Sequence, residues 1–580
     1  MRRRTIPARA RSVAALLASV ALLTVGLAPA VDAANNGPLG TFKHLVVIYE
    51  ENHSFDNLYG NWGDVNGQHV VGRADATPAH TIQVGQDGSA YSCLLMSDVN
   101  FMSPPLAPDC SSSTFSFGTG KPTTAYHYGN APYNIDQVIP ATATTCPDEN
   151  HLFSFTFGIM NGNGLPGGCT RDLVHRFYQE QYQLNGGLQN RYVTGSDSAG
   201  MTMGTYDTTK LPIYQYLHAK GAPSYVLLDN FFQAAFGGSF LNHQYLVAAA
   251  APPFPGGSHS VLDANGFPNA SYPLYHPATS VTDGTDTQAC GLMTTVAGFA
   301  CGDYAVNTAQ PPYQPTSAFG LRMPLVDDAH GANQTIGDRL TDAGVSWAWY
   351  SGGWDNANGN VGGLGYTNGN GKTCSDPNSA PAPLDAAGVG GPPYCPDKSF
   401  QTHHQPFNYY ANYAPGQPGR AHLQDEQDFL HAVSTGSLPS VSFVKPLGLE
   451  NEHPGYASEP NGSDHLVDLI NAIETGPQAG NTLVLVTYDE FGGQWDHVSP
   501  PGLGTPITNP AQADQFGPGT RIPALVIARS LNHSAVDNTV YDTTSILRTI
   551  EQQWGVAPVS TRDAAVNGLG NAVSAGRNQP

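Results

Sequence analysis

The sequence predicts an α/β protein whose mostly parallel sheet is covered on both faces. Three observations carry that prediction. The runs 44–49 (His-Leu-Val-Val-Ile-Tyr) and 482–488 (Thr-Leu-Val-Leu-Val-Thr-Tyr) are continuously apolar over strand length, as buried parallel strands are. Other strand-like segments alternate with helix-like ones, the pattern of a sheet wrapped by helices. Each of the two runs also passes directly into an oxygen-bearing pair, Glu51-Asn52 and Asp489-Glu490. In open α/β sheets, ligand-binding groups gather beyond the carboxyl ends of the strands. Two strands delivering these pairs to one edge would build a cation site from residues distant in sequence.

The remaining elements follow in chain order. Residues 173–185 read as a helix and 224–228 (Ser-Tyr-Val-Leu-Leu) as a strand. A helix is expected from Ser239 to about Ala250, where Pro252-Pro253 stops it. Residues 335–343 read as a helix leading into a strand over 345–350. Residues 464–474 form the next expected helix, with Ser463 as its N-cap. A strand over 522–527 and a helix over 544–554 complete the pattern, and the Gly/Ala/Asn-rich end after Arg562 is expected to fray.

Residues 1–33 carry five arginines, an apolar stretch and a small-residue end at Val31-Asp32-Ala33. This is the pattern of a secretory leader, by the general or the twin-arginine route. The expected product is an extracellular protein with no stable membrane insertion and a single domain over 34–580. The chain holds 24 basic and 46 acidic side chains, net −22, and removing the leader makes the balance more negative. A duplex nucleic-acid partner needs a basic face, and the sequence offers none.

Gly and Pro number 65 and 46 and concentrate near 85–170, 252–320 and 352–400. Those stretches hold all eight cysteines: Cys93, Cys110, Cys146, Cys169, Cys290, Cys301, Cys374 and Cys395. An even count in an exported chain reads as disulfides, with pairing between sequence neighbours favoured. The three stretches are therefore expected to be long stapled insertions.

Glu51, Asn52, Asp489 and Glu490 are hard oxygen ligands, suited to Ca²⁺, Mg²⁺ or Mn²⁺. Acidic residues at strand ends also serve simply to solvate an edge. Gly492-Gly493, directly after the second pair, suggests a turn that holds the ligands. Ser239 follows Gly237-Gly238 at an expected helix start, where the backbone can approach an anion. It fits an ordinary N-cap, or a nucleophile activated by a neighbouring cation. The 20 histidines include His175, His403, His404, His453 and His497 in polar, non-helical settings. Gathered at one site, they would bind an anion and donate a proton to a leaving group.

These residues resemble the bacterial phosphoesterase family. Residues 46–60 match its opening Glu-Asn-x-Ser-Phe-Asp-x-x-x-Gly motif, and 488–501 are similar to its second signature, Asp-Glu-x-Gly-Gly-x-x-Asp-His-Val-x-Pro-Pro. The segments around Arg521 and Tyr541 look like its C-terminal strand and helix. The resemblance implies an alkaline-phosphatase-like three-layer α/β/α sandwich. It implies a divalent metal at Glu51, Asn52, Ser239, Asp489 and Glu490, with Ser239 as nucleophile. His175, His404 and His453 match positions that meet phosphate or the leaving group; His403 and His497 are added as substrate-binding candidates. The expected substrates are small phosphorylated compounds or phospholipid headgroups. The family contains phospholipases C and acid phosphatases. Ser239-Phe240-Leu241-Asn242, where phospholipases usually read Thr-Asp-Pro-Asn, and His403-His404 before Pro406-Phe407 look more like the acid phosphatase branch. A secreted acid phosphatase forming a phosphoserine is therefore the expectation, with a phospholipase C as the alternative.

Overall fold

A computed structural model describes residues 37–85, 87–95, 116–117, 121–122, 127–137, 172–196, 199–255, 304–316, 322–328, 333–366, 400–454, 457 and 459–578. The expected leader and most of the three insertions lie outside them. Of the eight cysteines only Cys93 is a described residue; it is disulfide-bonded, while the expected pairing between sequence neighbours lies outside the described residues.

The core is one eight-stranded sheet. Its strands are β1 (His44–Glu50), β2 (Ser224–Leu228), β3 (Trp347–Ser351), β4 (Leu423–Asp425), β5 (Val441–Lys445), β6 (Thr482–Tyr488), β7 (Ala524–Ala528) and β8 (Ala535–Asp537). In space they run β4-β3-β5-β1-β6-β7-β2-β8. Every neighbouring pair is parallel except those involving β7, which lies antiparallel between β6 and β2. Period and apolarity mark 524–528 as a buried strand but carry no direction.

The two runs that opened the sequence reading are adjacent. β1 pairs with β6 over its whole length, with Glu50 opposite Tyr488, and the Asp489 N–H donates to Glu50 O at 3.1 Å. Leu45 to Tyr49 and Leu483 to Leu485 have no accessible surface, and each such aliphatic side chain contributes about 1.5–3 kcal/mol relative to exposure. This burial fixes the register, and the register places Glu51 and Asp489 side by side.

The surrounding helices are α1 (Phe177–Leu184), α2 (Pro212–Leu217), α3 (Ser239–Ala248), α4 (Ile336–Asp342), α5 (Glu426–Thr435), α6 (Glu459–Thr475), α7 (Thr544–Trp554) and α8 (Gly570–Arg577). Three expectations need correction. The helix expected over 173–185 begins only at Phe177, because residues 172–176 are drawn out beside the start of α3. Ser463 is not an N-cap: α6 starts at Glu459, and the Ser463 hydroxyl accepts from the Ile213 N–H at 2.9 Å. The end after Arg562 does not fray, because α8 packs on β2 and β8 and buries Ala572 and Val573.

Candidate active site

The carboxyl ends of β1 and β6 bring four expected ligands together. Glu51, Asn52, Asp489 and Glu490 are all at most 1% exposed. Their turn depends on Gly492, whose φ is +62° and whose added Cβ would collide with the Asn52 carbonyl. Only glycine meets both demands cheaply. The Gly492 N–H donates to Glu490 Oε2 at 2.6 Å, which fixes that carboxylate.

The third contribution comes from α3. Gly238 is its N-cap and Ser239 its first residue. A Cβ on Gly238 would lie 2.9 Å from His175 O and 3.0 Å from His175 Cδ2. The glycine therefore lets the extended 172–176 segment pass directly against the helix start. Ser239 Oγ donates to Glu490 Oε1 at 3.4 Å, and His175 Nε2 lies 3.4 Å from the same oxygen. Glu180 secures the approach from below by accepting from the Gly237 N–H at 2.5 Å.

Histidines line the other side. His404 Nδ1 is 2.9 Å from Glu51 Oε1, and His453 Nε2 is 3.7 Å from Glu51 Oε2. Asn52 Nδ2 donates to His453 Nε2 at 2.9 Å, while His453 Nδ1 donates to Pro454 O at 2.7 Å. This network turns Asn52 Oδ1 away from His453, and that oxygen is buried without a donor. His403 packs on His404 with ring centroids 4.4 Å apart. His497 is placed differently: its Nδ1 lies 2.5 Å from Asp56 Oδ2, in a buried ionic group with Asp496 and Arg521.

Three site residues escaped the sequence reading. Lys445, the last residue of β5, sets its ammonium 2.5 Å from Glu51 Oε1 and donates to Tyr49 O at 2.9 Å. His243 lies one helical turn beyond Ser239, donates from Nδ1 to Ser239 O at 2.8 Å and stands 3.7 Å from Asp489 Oδ2. Its position at i+4 on an expected helix was a usable signal. Asp172, His175 and His453 offer ligand atoms within 4.8 Å of one another.

Burial, followed by the charge of Asp489, holds the Glu51 and Glu490 carboxyls well above the usual carboxylate range. Burial also pushes Asp489 up to about 6. Desolvation keeps His243, His404 and His453 neutral by lowering their pKa values, and it takes His403 to about 3. Carboxylates crowded in this way need a counter-charge. Lys445 is one, yet Asn52 Oδ1 and Asp489 Oδ2 are still left without a donor. Glu51, His243 and His404 also present ligand atoms within 4.8 Å of one another. Hard oxygens joined by neutral imidazoles suit a divalent cation, so the residues present fit one.

A family model described as the phosphoesterase family matches residues 42–557. The chain is similar to phospholipase C B of Mycobacterium tuberculosis (strain ATCC 25618 / H37Rv), 24% identical over 561 residues, covering 92% of this chain and 78% of that protein. It is similar to phospholipase C A of the same strain, 23% identical over 556 residues, covering 92% and 76%. Over 147 residues it is 31% identical to the non-hemolytic phospholipase C of Pseudomonas aeruginosa, covering 21% of each chain.

Proposed function

Because the chain belongs to the phosphoesterase family, we propose that it is an exported, metal-dependent phosphoric ester hydrolase of the phospholipase C type, cleaving a phosphodiester through a phosphoserine. The observation that carries the substrate class is the likeness, over 92% of this chain, to mycobacterial phospholipases C. It moves the reading from the monoesterase expected of the sequence to its alternative. The acid phosphatase reading stays second, supported by Ser239-Phe240-Leu241-Asn242 and the paired His403-His404.

Ser239 is the nucleophile in this proposal. Its oxygen attacks phosphorus in line, the bond to the lipid alcohol breaks, and water then cleaves the phosphoserine to release the phosphorylated headgroup. A divalent cation held by Glu51, Asn52, Ser239, Asp489 and Glu490 supplies, when bound, positive charge that favours an ionised serine and a charged phosphoryl group. His175 and His403 bind phosphate oxygens, and His404 or His453 passes a proton to the departing alcohol. An arriving phosphate raises the pKa of both, since a nearby anion favours imidazolium. Lys445 holds Glu51 in place. Among the described residues no helix is long and apolar enough to cross a membrane.

A side-by-side assay on phosphatidylcholine vesicles and p-nitrophenyl phosphate, with the mature chain and added Mn²⁺, Ca²⁺ or Mg²⁺, tests this. The expected result is a kcat/KM at least about ten-fold higher for the diester. A preference for the monoester would turn the assignment to acid phosphatase. Hydrolysis of neither substrate with any of the metals would end both readings.

A further inference from the structure

Successive side chains of an extended segment point to opposite sides. Glu51 faces Ser239 and the histidines, so its neighbour Glu50 faces away from them. The residues that act electrostatically on Glu50 are Glu452, Lys445, His465 and Glu426. Its carboxyl therefore lies near Glu426, the first residue of α5, and His465, in the middle of α6.

There Glu426, Glu450 and His465 set ligand atoms within 4.8 Å of one another. His465 Nε2 is 3.1 Å from Glu426 Oε1 and 3.9 Å from Glu450 Oε2. Glu50 has no accessible surface, and both of its carboxylate oxygens lack a hydrogen-bond donor. Glu426 Oε2 and Glu452 Oε1 are buried without a donor as well. The other Glu452 oxygen is satisfied by the Tyr488 hydroxyl. One imidazole faces this group of carboxylates, and the Lys445 ammonium is engaged on Glu51. Four buried carboxylate oxygens without donors, one of them on a triad already at ligand spacing, make a costly arrangement unless a cation enters. The Glu450 side chain is 46% exposed and gives such an ion a way in.

We propose that Glu426, Glu450 and His465 form a second divalent-cation site beside the buried Glu50 carboxyl, back to back with the nucleophile site across β1. Carboxylates joined by one imidazole suit Mn²⁺ or Zn²⁺ better than Ca²⁺. The site is independent of the hydrolytic reading: it uses none of the residues assigned to catalysis, and it stands whichever ester the enzyme cleaves.

The test is metal stoichiometry in the full mature chain after chelator stripping. Free Mn²⁺ is followed by electron paramagnetic resonance, and Zn²⁺ is titrated separately by calorimetry. The wild type is expected to bind one more equivalent than either His465→Gln or Glu450→Gln. Glu51→Gln should lose the other equivalent and keep this one. With metal restored, His465→Gln and Glu450→Gln should retain phosphoester turnover within about two-fold of wild type. Glu450 is half exposed, so its variant is expected to fold and carries the test even if the His465 variant does not. Equal stoichiometry for wild type and Glu450→Gln with both metals would overturn the proposal and leave His465 as a counter-ion to Glu426. So would a wild type that binds only what Glu51→Gln loses.

Discussion

Replacing Lys445 by methionine removes the ammonium that contacts Glu51 while keeping most of the side-chain volume. The pair is fully buried, with Nζ and Oε1 2.5 Å apart. At an effective dielectric of about 20, unit charges at that separation attract by about 7 kcal/mol. Desolvating the ammonium offsets several kcal/mol of this, and the remainder agrees with the about 3–5 kcal/mol measured when one partner of a buried pair is removed. Glu51 already has a raised pKa, so the variant can escape part of the loss by protonating that carboxyl. The expected loss is therefore largest at pH 8 and smaller at pH 5. Urea unfolding of the chelator-stripped chain is the direct assay: Lys445→Met should lie about 3–5 kcal/mol below wild type at pH 8. Saturating Mn²⁺ should narrow the gap by at least about 1 kcal/mol, because an added cation shares the Glu51 charge. A stripped variant within about 1 kcal/mol of wild type at pH 8 would refute the argument that Lys445 neutralises this site.

Three further outcomes are expected. Ser239→Ala should lower kcat on the order of 10⁴-fold or more with an unchanged circular dichroism spectrum; a variant with wild-type turnover would remove Ser239 as nucleophile. Gly238→Ala pushes a methyl against His175. It should cost about 1–3 kcal/mol in thermal unfolding and lower kcat more than it raises KM, whereas unaltered kinetics would show that His175 need not sit there. Burial raises the Glu459 carboxyl from 4.5 to about 8, partly countered by a hydrogen bond from Tyr206. An acid whose folded pKa is raised binds its proton more tightly in the folded state. Its contribution therefore falls as pH climbs from about 4.5 to 8, by at most about 5 kcal/mol. Glu459→Gln should flatten that decline in urea midpoints measured from pH 5 to 8, and an identical slope in both proteins would contradict it.

The sequence by itself determined the central strand pair and the oxygen-bearing residues at its end. Continuous apolar runs are the signature of strands buried on both faces, and the residues that follow them must emerge at the sheet edge. It also fixed the glycine-preceded start of the helix that carries Ser239, because glycine before a serine leaves room for close approach. Only the tertiary structure decided what meets those residues. Lys445 ends a short strand whose Ser442 and terminal lysine break the apolar pattern, so nothing local marks it as a buried cation. His497 sits in a sequence motif beside the acidic signature, yet the pairing of Asp56 with Arg521 draws it into a separate ionic group. The direction of β7 and the cluster of Glu426, Glu450 and His465 are likewise products of packing. Periodicity states which side chains are buried; which buried charges face one another is set by how strands distant in sequence come to lie side by side.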